Sequence, residues 1–201
     1  MRIGIDFDNT LVSYEQAFAQ VGREEGLLPE GFRGGKEAVK ASLLEQRPDG
    51  YLWEKLQGLV YGRRIGAAEL FNGVDEFFRR CRERRDVTVK VVSHKTILAH
   101  HDPGSDLRHC ALNWMHGRRF FEPTGFGLTM EDVFFEGTRD EKVRRIAALG
   151  CDVFVDDHPE VLGHTEMPKG CRKILFRSNA DGPFDRAASW QDVSDAIFSH
   201  P

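Results

Sequence analysis

Hydrophobic positions change their period along the chain, and each change marks an element. Ile3, Ile5 and Phe7 predict a short buried strand over 3–7. In SYEQAFAQV, Tyr14, Ala17, Phe18 and Val21 fall at helical spacing. Ser13 and Gln16 fit a capping box at the start of that helix, which is expected to stop near Gly26 and Pro29. KEAVKASLLEQ reads as a second helix that ends before Pro48. In YLWEKLQGLVYG, Leu52, Trp53, Leu56, Leu59 and Val60 share one face of a third. Residues 12–72 are therefore expected to form a compact, all-helical unit placed after the first strand.

Beyond that unit the pattern alternates. VDEFFRRCRERR is an amphipathic helix with Val74, Phe77, Phe78 and Cys81 turned inward. VTVKVVS is β-branched and mostly apolar, and predicts a second buried strand. A helix follows in DLRHCALNWMHGRRFF, where Leu107, Cys110, Ala111 and Trp114 face a core, and DVFFEG is a third strand. TRDEKVRRIAALG is a helix with Thr138 or Asp140 as its cap and Gly150 at its end. CDVFVDD and CRKILF supply strands four and five, and SWQDVSDAIF a closing helix, while HHDPGS and SNADGPFD read as loops. Strands alternating with helices predict an α/β fold: a Rossmann-like parallel sheet of five strands flanked by helices. The expected core domain is 1–11 and 73–201, with 12–72 inserted as a small helical cap.

Composition narrows the function classes. A length of 201 residues suits one core domain with a modest appendage, and 40% hydrophobic with 30% charged residues suits a folded globular chain. A net charge of −4 gives no reason to expect a nucleic-acid partner. No apolar run approaches the roughly 20 residues that span a bilayer. Acids arrive too early in MRIGIDFDNT for a signal peptide, so a cytoplasmic location without a membrane partner is expected. Cys81, Cys110, Cys151 and Cys171 lack any CxxC spacing and are expected to be buried, reduced thiols. His100, His101 and His109 lack the ligand spacing of a structural zinc site, so zinc is not expected.

The candidate chemistry lies at the carboxyl ends of the strands, where open parallel sheets bind ligands. Asp6 and Asp8 follow strand one, Ser93 ends strand two, and Asp156 and Asp157 end strand four. Lys142, on the helix leading into strand four, is within expected reach of the same crevice. Taken singly, each has an ordinary use: Asp caps helices, Ser forms turns, Lys faces solvent. Their joint occurrence, in this order, is what singles them out.

DFDNTL, over Asp6 to Leu11, resembles the first motif of the haloacid dehalogenase (HAD) superfamily, DxDx(T/V). VVSHK resembles its second motif, Lys142 suits its third, and VFVDD its fourth. The resemblance runs through the whole chain in order. It implies that Asp6 is a nucleophile forming an aspartyl-phosphate and that Asp8 is the general acid and base. An acid at the Asp8 position implies phosphoryl transfer rather than dehalogenation, because a halide leaves without a proton. A divalent cation, Mg²⁺, is implied by the carboxylates, held by Asp6, the Asp8 carbonyl and Asp156 or Asp157. Ser93 and Lys142 would bind the phosphoryl oxygens, and Asn9 and Thr10 line the loop after the nucleophile. The insert after strand one corresponds to the family's C1 cap, which excludes water and selects substrate.

Some residues depart from the family pattern. His94 and Lys95 stand where relatives carry smaller residues, and either is a candidate substrate contact. Lys95 is also the alternative to Lys142 as the phosphate lysine. His158 is either a loop residue or part of the site. Arg63 and Arg64 are candidates for a second anionic group of the substrate, with solvent-facing charge as the other reading. Tyr14 and Phe18 are expected to pack in the cap and are candidates for its pocket. The expected function is an Mg²⁺-dependent phosphatase acting on a small phosphorylated metabolite, such as a sugar phosphate or nucleotide. The alternatives are a phosphonate hydrolase, which would need a cap lysine such as Lys36, Lys40 or Lys55, a phosphotransferase, or a non-catalytic phospho-acceptor domain.

Overall fold

A computed structural model describes residues 1–99 and 101–199. In chain order its elements are β1 (Arg2–Ile5), β2 (Val12–Ser13), α1 (Ala17–Glu24), α2 (Lys36–Gln46), α3 (Tyr51–Tyr61), β3 (Glu69–Leu70), α4 (Val74–Arg82), β4 (Thr88–His94), β5 (Leu98–Ala99), β6 (Asp102–Asp106), α5 (Leu107–Gly117), β7 (Val133–Glu136), α6 (Arg139–Leu149), β8 (Val153–Asp156), α7 (Pro159–Leu162), β9 (Arg172–Phe176), β10 (Asp185–Ala187) and α8 (Trp190–Phe198). Short 3₁₀ turns occupy Ile65–Ala67 and Met130–Asp132.

Six strands form one parallel sheet in the order β10-β9-β8-β1-β4-β7. The central strands are apolar on both faces because helices cover both; all of β8 is buried, as is β1 after Arg2. The expected parallel α/β sheet is therefore present, with six strands rather than five. The additional one, β10, is three residues long, and only Ala187 of it is buried. So short an edge strand carries no apolar run to detect.

The chain divides into two compact units. The first comprises Met1–Val12, Leu70–Lys95 and Arg118–Pro201 and holds the sheet; the second comprises Ser13–Glu69 and Thr96–Gly117. Within the second, α1, α2 and α3 pack on one another, with Phe18 stacked on Trp53 at 5.1 Å between ring centroids. The helix α5 belongs to this unit too, whereas its pattern alone predicts a place in the core domain. It packs on α3 and on the 65–67 turn, and Trp114 Nε1 donates to the Ala68 carbonyl at 3.3 Å. An apolar face shows that a helix is buried, but not against which partner. The segment read as the HHDPGS loop contributes to an antiparallel pair, β5 with β6.

Side-chain caps open α6 and α8. Thr138 Oγ1 accepts from Glu141 N at 3.1 Å, opening α6, and Gly150 closes it with a left-handed φ of 62°. Ser189 and Asp192 form a reciprocal capping box on α8. The box expected at Ser13 and Gln16 does not form: α1 starts at Ala17, and the Ser13 hydroxyl accepts from Glu15 N at 3.5 Å instead. Beneath the sheet, Cys151, Cys171 and Phe154 join Val143, Ile146 and Leu175 in one apolar cluster. Burial pushes the Cys151 thiol up to about 11 and those of Cys81 and Cys171 up to about 12, which leaves them inert as nucleophiles.

Gly4, in the centre of β1, permits the close approach of Phe154. A Cβ at this position would lie 2.4 Å from the Phe154 ring and 2.9 Å from Cys151 Sγ. Overpacking of this kind costs about 1–3 kcal/mol. Gly4→Ala is expected to lower the unfolding free energy in urea by that amount; an unchanged midpoint would contradict the packing described for β1.

Candidate active site

Register brings the acids together. Ile5 lies level with Val155 on β8 and with Val91 on β4. All three strands point the same way, so the residues that follow, Asp6 and Asp156, emerge side by side at the carboxyl edge. Asp6 N donates to the Val155 carbonyl at 2.9 Å and extends the ladder by one step. The chain then turns tightly. Leu11 N and Val12 N both donate to the Phe7 carbonyl, at 3.1 and 3.0 Å, and Asn9 N donates to Val12 O at 2.9 Å. Asn9 takes a left-handed φ of 58°, which asparagine tolerates better than most residues. The turn returns Thr10 to the acids: its Oγ1 lies 3.4 Å from Asp6 Oδ2 and 3.5 Å from Asp157 Oδ1. Thr10 is anchored from behind, where its carbonyl accepts from Trp190 Nε1 at 3.0 Å.

Two lysines face these carboxylates. Lys142, in the first turns of α6, is 2% exposed, and its Nζ donates to Asp6 Oδ1 and to Asp156 Oδ2, each at 2.6 Å. The other Asp156 oxygen accepts from His158 N at 2.9 Å, so both oxygens are committed. Lys95, just past β4, lies 2.7 Å from Asp8 Oδ2. The two lysines thus hold different acids.

The titration behaviour follows from burial and charge. Burial raises the Asp6 pKa most; Lys142 pulls it back and Asp156 raises it again, leaving it at about 6. Asp157 is pushed up to about 8, first by burial and then by the charges of Asp6 and Asp156. For Lys142 burial acts downward, but Asp156 and Asp6 outweigh it, and the ammonium titrates above its ordinary range. One carboxylate oxygen from each of Asp6, Asp156 and Asp157 lies within 4.8 Å of the others. Converging hard oxygen donors with uncompensated negative charge fit a divalent cation such as Mg²⁺.

The other candidates fall in different places. Ser93 is buried on β4, level with Phe135 of β7. His94 Nε2 donates to the Gly137 carbonyl at 3.0 Å, and partial burial lowers its pKa. The His158 ring lies 3.9 Å from Asp157 and 3.4 Å from Glu160. Arg63 and Arg64 belong to the second unit and face its carboxylates: Arg63 lies 3.3 Å from Asp102, and Arg64 bonds to Glu24 and lies 3.6 Å from Glu25. Tyr14 and Phe18 are buried in the same unit, each edge-on to Tyr61. His101 pairs with Glu54 at 2.8 Å, and His100 lies outside the described residues. Sequence reasoning missed the Lys95–Asp8 pair; the only signal was a cation two residues past the strand-ending serine.

The raised Asp157 pKa makes metal-free stability depend on pH. Between about pH 4 and 8 the folded state keeps a proton that the unfolded chain releases, so this group costs stability progressively as pH rises. In EDTA, the Tm of Asp157→Asn is expected to gain on that of the wild type between pH 4 and 8. Added Mg²⁺ is expected to raise the wild-type Tm more at pH 8 than at pH 5. A Tm difference that is flat with pH would contradict this assignment.

No protein-family model matches the chain, and no curated protein sequence matches it. Solved structures do. A HAD-superfamily hydrolase of subfamily IA from Geobacter sulfurreducens is similar at a TM-score of 0.60 and 14% identity, over 98% of this chain and 95% of its own. A HAD-family hydrolase from Deinococcus radiodurans, solved with bound phosphate and sodium, gives 0.53 and 17% over 98% and 95%. A Bacillus subtilis protein assigned to the HAD hydrolases, solved with bound magnesium, gives 0.56 and 10% over 98% of each chain. At these identities the likeness is one of fold. With a parallel sheet and an acidic carboxyl edge already in place, the chain has the fold of the haloacid dehalogenase superfamily.

Proposed function

We propose that this chain is a HAD-superfamily hydrolase, an Mg²⁺-dependent phosphatase acting on a small phosphorylated metabolite such as a sugar phosphate or nucleotide. The observation that carries the reading is the buried Lys142 ammonium shared by Asp6 and Asp156 beside Asp157, at the sheet edge where ligands bind. The fold supports hydrolase chemistry. Proteins of the same fold solved with magnesium, and with phosphate and sodium, support a cation and a phosphoryl group as the ligands.

Asp6, the Asp8 carbonyl and Asp157 would hold the metal. Asp157 is preferred to Asp156 because both Asp156 oxygens are already engaged. When bound, Mg²⁺ supplies positive charge against the phosphoryl oxygens. Lys142 would add its ammonium to the same purpose, and the Ser93 hydroxyl would supply a neutral donor. Asp6 attacks phosphorus through a carboxylate oxygen, the bond to the leaving oxygen breaks, and an aspartyl-phosphate forms on Asp6. Asp8 gives a proton to the leaving oxygen, so that an alcohol departs. It then takes one from the water that hydrolyses the aspartyl-phosphate and releases inorganic phosphate. The second unit is given the role of a cap that excludes water and selects substrate. Arg63 and Arg64 are already compensated by acids of their own unit, so no second anion site is assigned to them. A cytoplasmic location goes with this reading. No helix among the described residues is long and apolar enough to cross a membrane.

The purified protein is expected to hydrolyse p-nitrophenyl phosphate with Mg²⁺, to stop in EDTA and to recover on adding Mg²⁺. Asp6→Asn is expected to reduce the rate to background while the far-UV circular dichroism stays native. Turnover that survives Asp6→Asn would overturn the assignment of the nucleophile.

A further inference from the structure

Lys95 is among the few lysines this fold buries, its side chain only 3% exposed. Burying an ammonium is costly unless a partner repays the lost hydration. Lys142 has an evident partner set in Asp6 and Asp156. Lys95 is committed elsewhere: its Nζ lies 2.7 Å from Asp8 Oδ2 and 5.6 Å from the centre of the Phe7 ring. Its backbone is fixed as well, since Lys95 N donates to the Glu136 carbonyl of β7 at 2.8 Å. The ammonium is therefore delivered to Asp8 from a rigid strand end.

Asp8 needs such an anchor. It sits beyond the end of β1, in the turn that contains the left-handed Asn9, and its side chain is 20% exposed. A carboxylate on a turn can rotate towards water, whereas proton exchange requires it within roughly 2.6–3.2 Å of the reacting oxygen. A charge-assisted bond to a buried lysine restricts that rotation. We propose that Lys95 is a positioning residue: it fixes the Asp8 carboxylate in the orientation that exchanges protons with the leaving group and with water. This rests on the phosphatase reading above.

The competing role, a second phosphate-binding lysine, behaves differently. A phosphoryl anchor acts on every phosphate ester alike. A residue that positions the acid matters only where the leaving oxygen needs a proton. Nitrophenolate leaves readily as an anion, and an alkoxide does not.

The test is kcat/KM with Mg²⁺ for p-nitrophenyl phosphate, phenyl phosphate and an alkyl phosphate, because this ratio reports the step in which the leaving group departs. Wild type, Lys95→Met, Lys95→Arg and Asp8→Asn are compared. In Lys95→Met the loss is expected to be at least tenfold greater for the alkyl ester than for p-nitrophenyl phosphate. Asp8→Asn should show the same steepening, and Lys95→Arg, which keeps the charge, a smaller one. If Lys95→Met does not fold, Lys95→Arg against wild type carries the same comparison. A uniform loss across the three esters, with raised KM, would assign Lys95 to phosphoryl binding and overturn the proposal. No loss on any ester would also overturn it. A wild type inactive on all three would instead remove the phosphatase reading on which the proposal stands.

Discussion

The Lys142 ammonium lies 2.6 Å from a carboxylate oxygen of Asp6 and 2.6 Å from one of Asp156, and all three side chains are buried. This arrangement ties α6 to β1 and β8 at one point on the sheet edge. Taking these charges out of water costs several kcal/mol each, and removing one partner of such a set costs about 3–5 kcal/mol. Apolar residues of the same volume would hold the elements together at least as well. A charged constellation is consistent with a requirement at this edge that an apolar core would not meet.

The charge balance indicates what that requirement is. Asp6, Asp8, Asp156 and Asp157 bring four carboxylates, while Lys95 and Lys142 bring two ammoniums. The shortfall falls on Asp157, whose pKa rises to about 8 because burial and its acidic neighbours oppose ionisation. The net excess of two negative charges matches one divalent cation in charge as well as in donor type. The cation would in turn let the acids tolerate a phosphoryl group beside them.

Much of this was legible in the sequence because it depends on periods and strand ends. The apolar runs of β1, β4 and β8 are each closed or followed by a polar residue, and parallel pairing brings those ends to one edge of the sheet. Lys142 was legible as a candidate because a helix and a turn separate it from the acidic pair. What escaped depends on tertiary choice. The strand β10 has too few apolar residues to register, and the placement of α5 depends on which partner its apolar face finds. Ser13 lost its capping role to a later helix start. Which carboxylates Lys95 and Lys142 each contact depends on where their side chains end in space, which spacing along the chain does not encode.

The central claim is that Asp6, within this acidic edge, receives a phosphoryl group beside a divalent cation. The most direct measurement is a crystal structure of the protein grown with Mg²⁺ and beryllium fluoride, a mimic of the aspartyl-phosphate. The account predicts beryllium bonded to an Asp6 oxygen, with Mg²⁺ at about 2.1 Å from the other Asp6 oxygen and from Asp157. Beryllium fluoride attached elsewhere, or a cation bound away from Asp6 and Asp157, would contradict it.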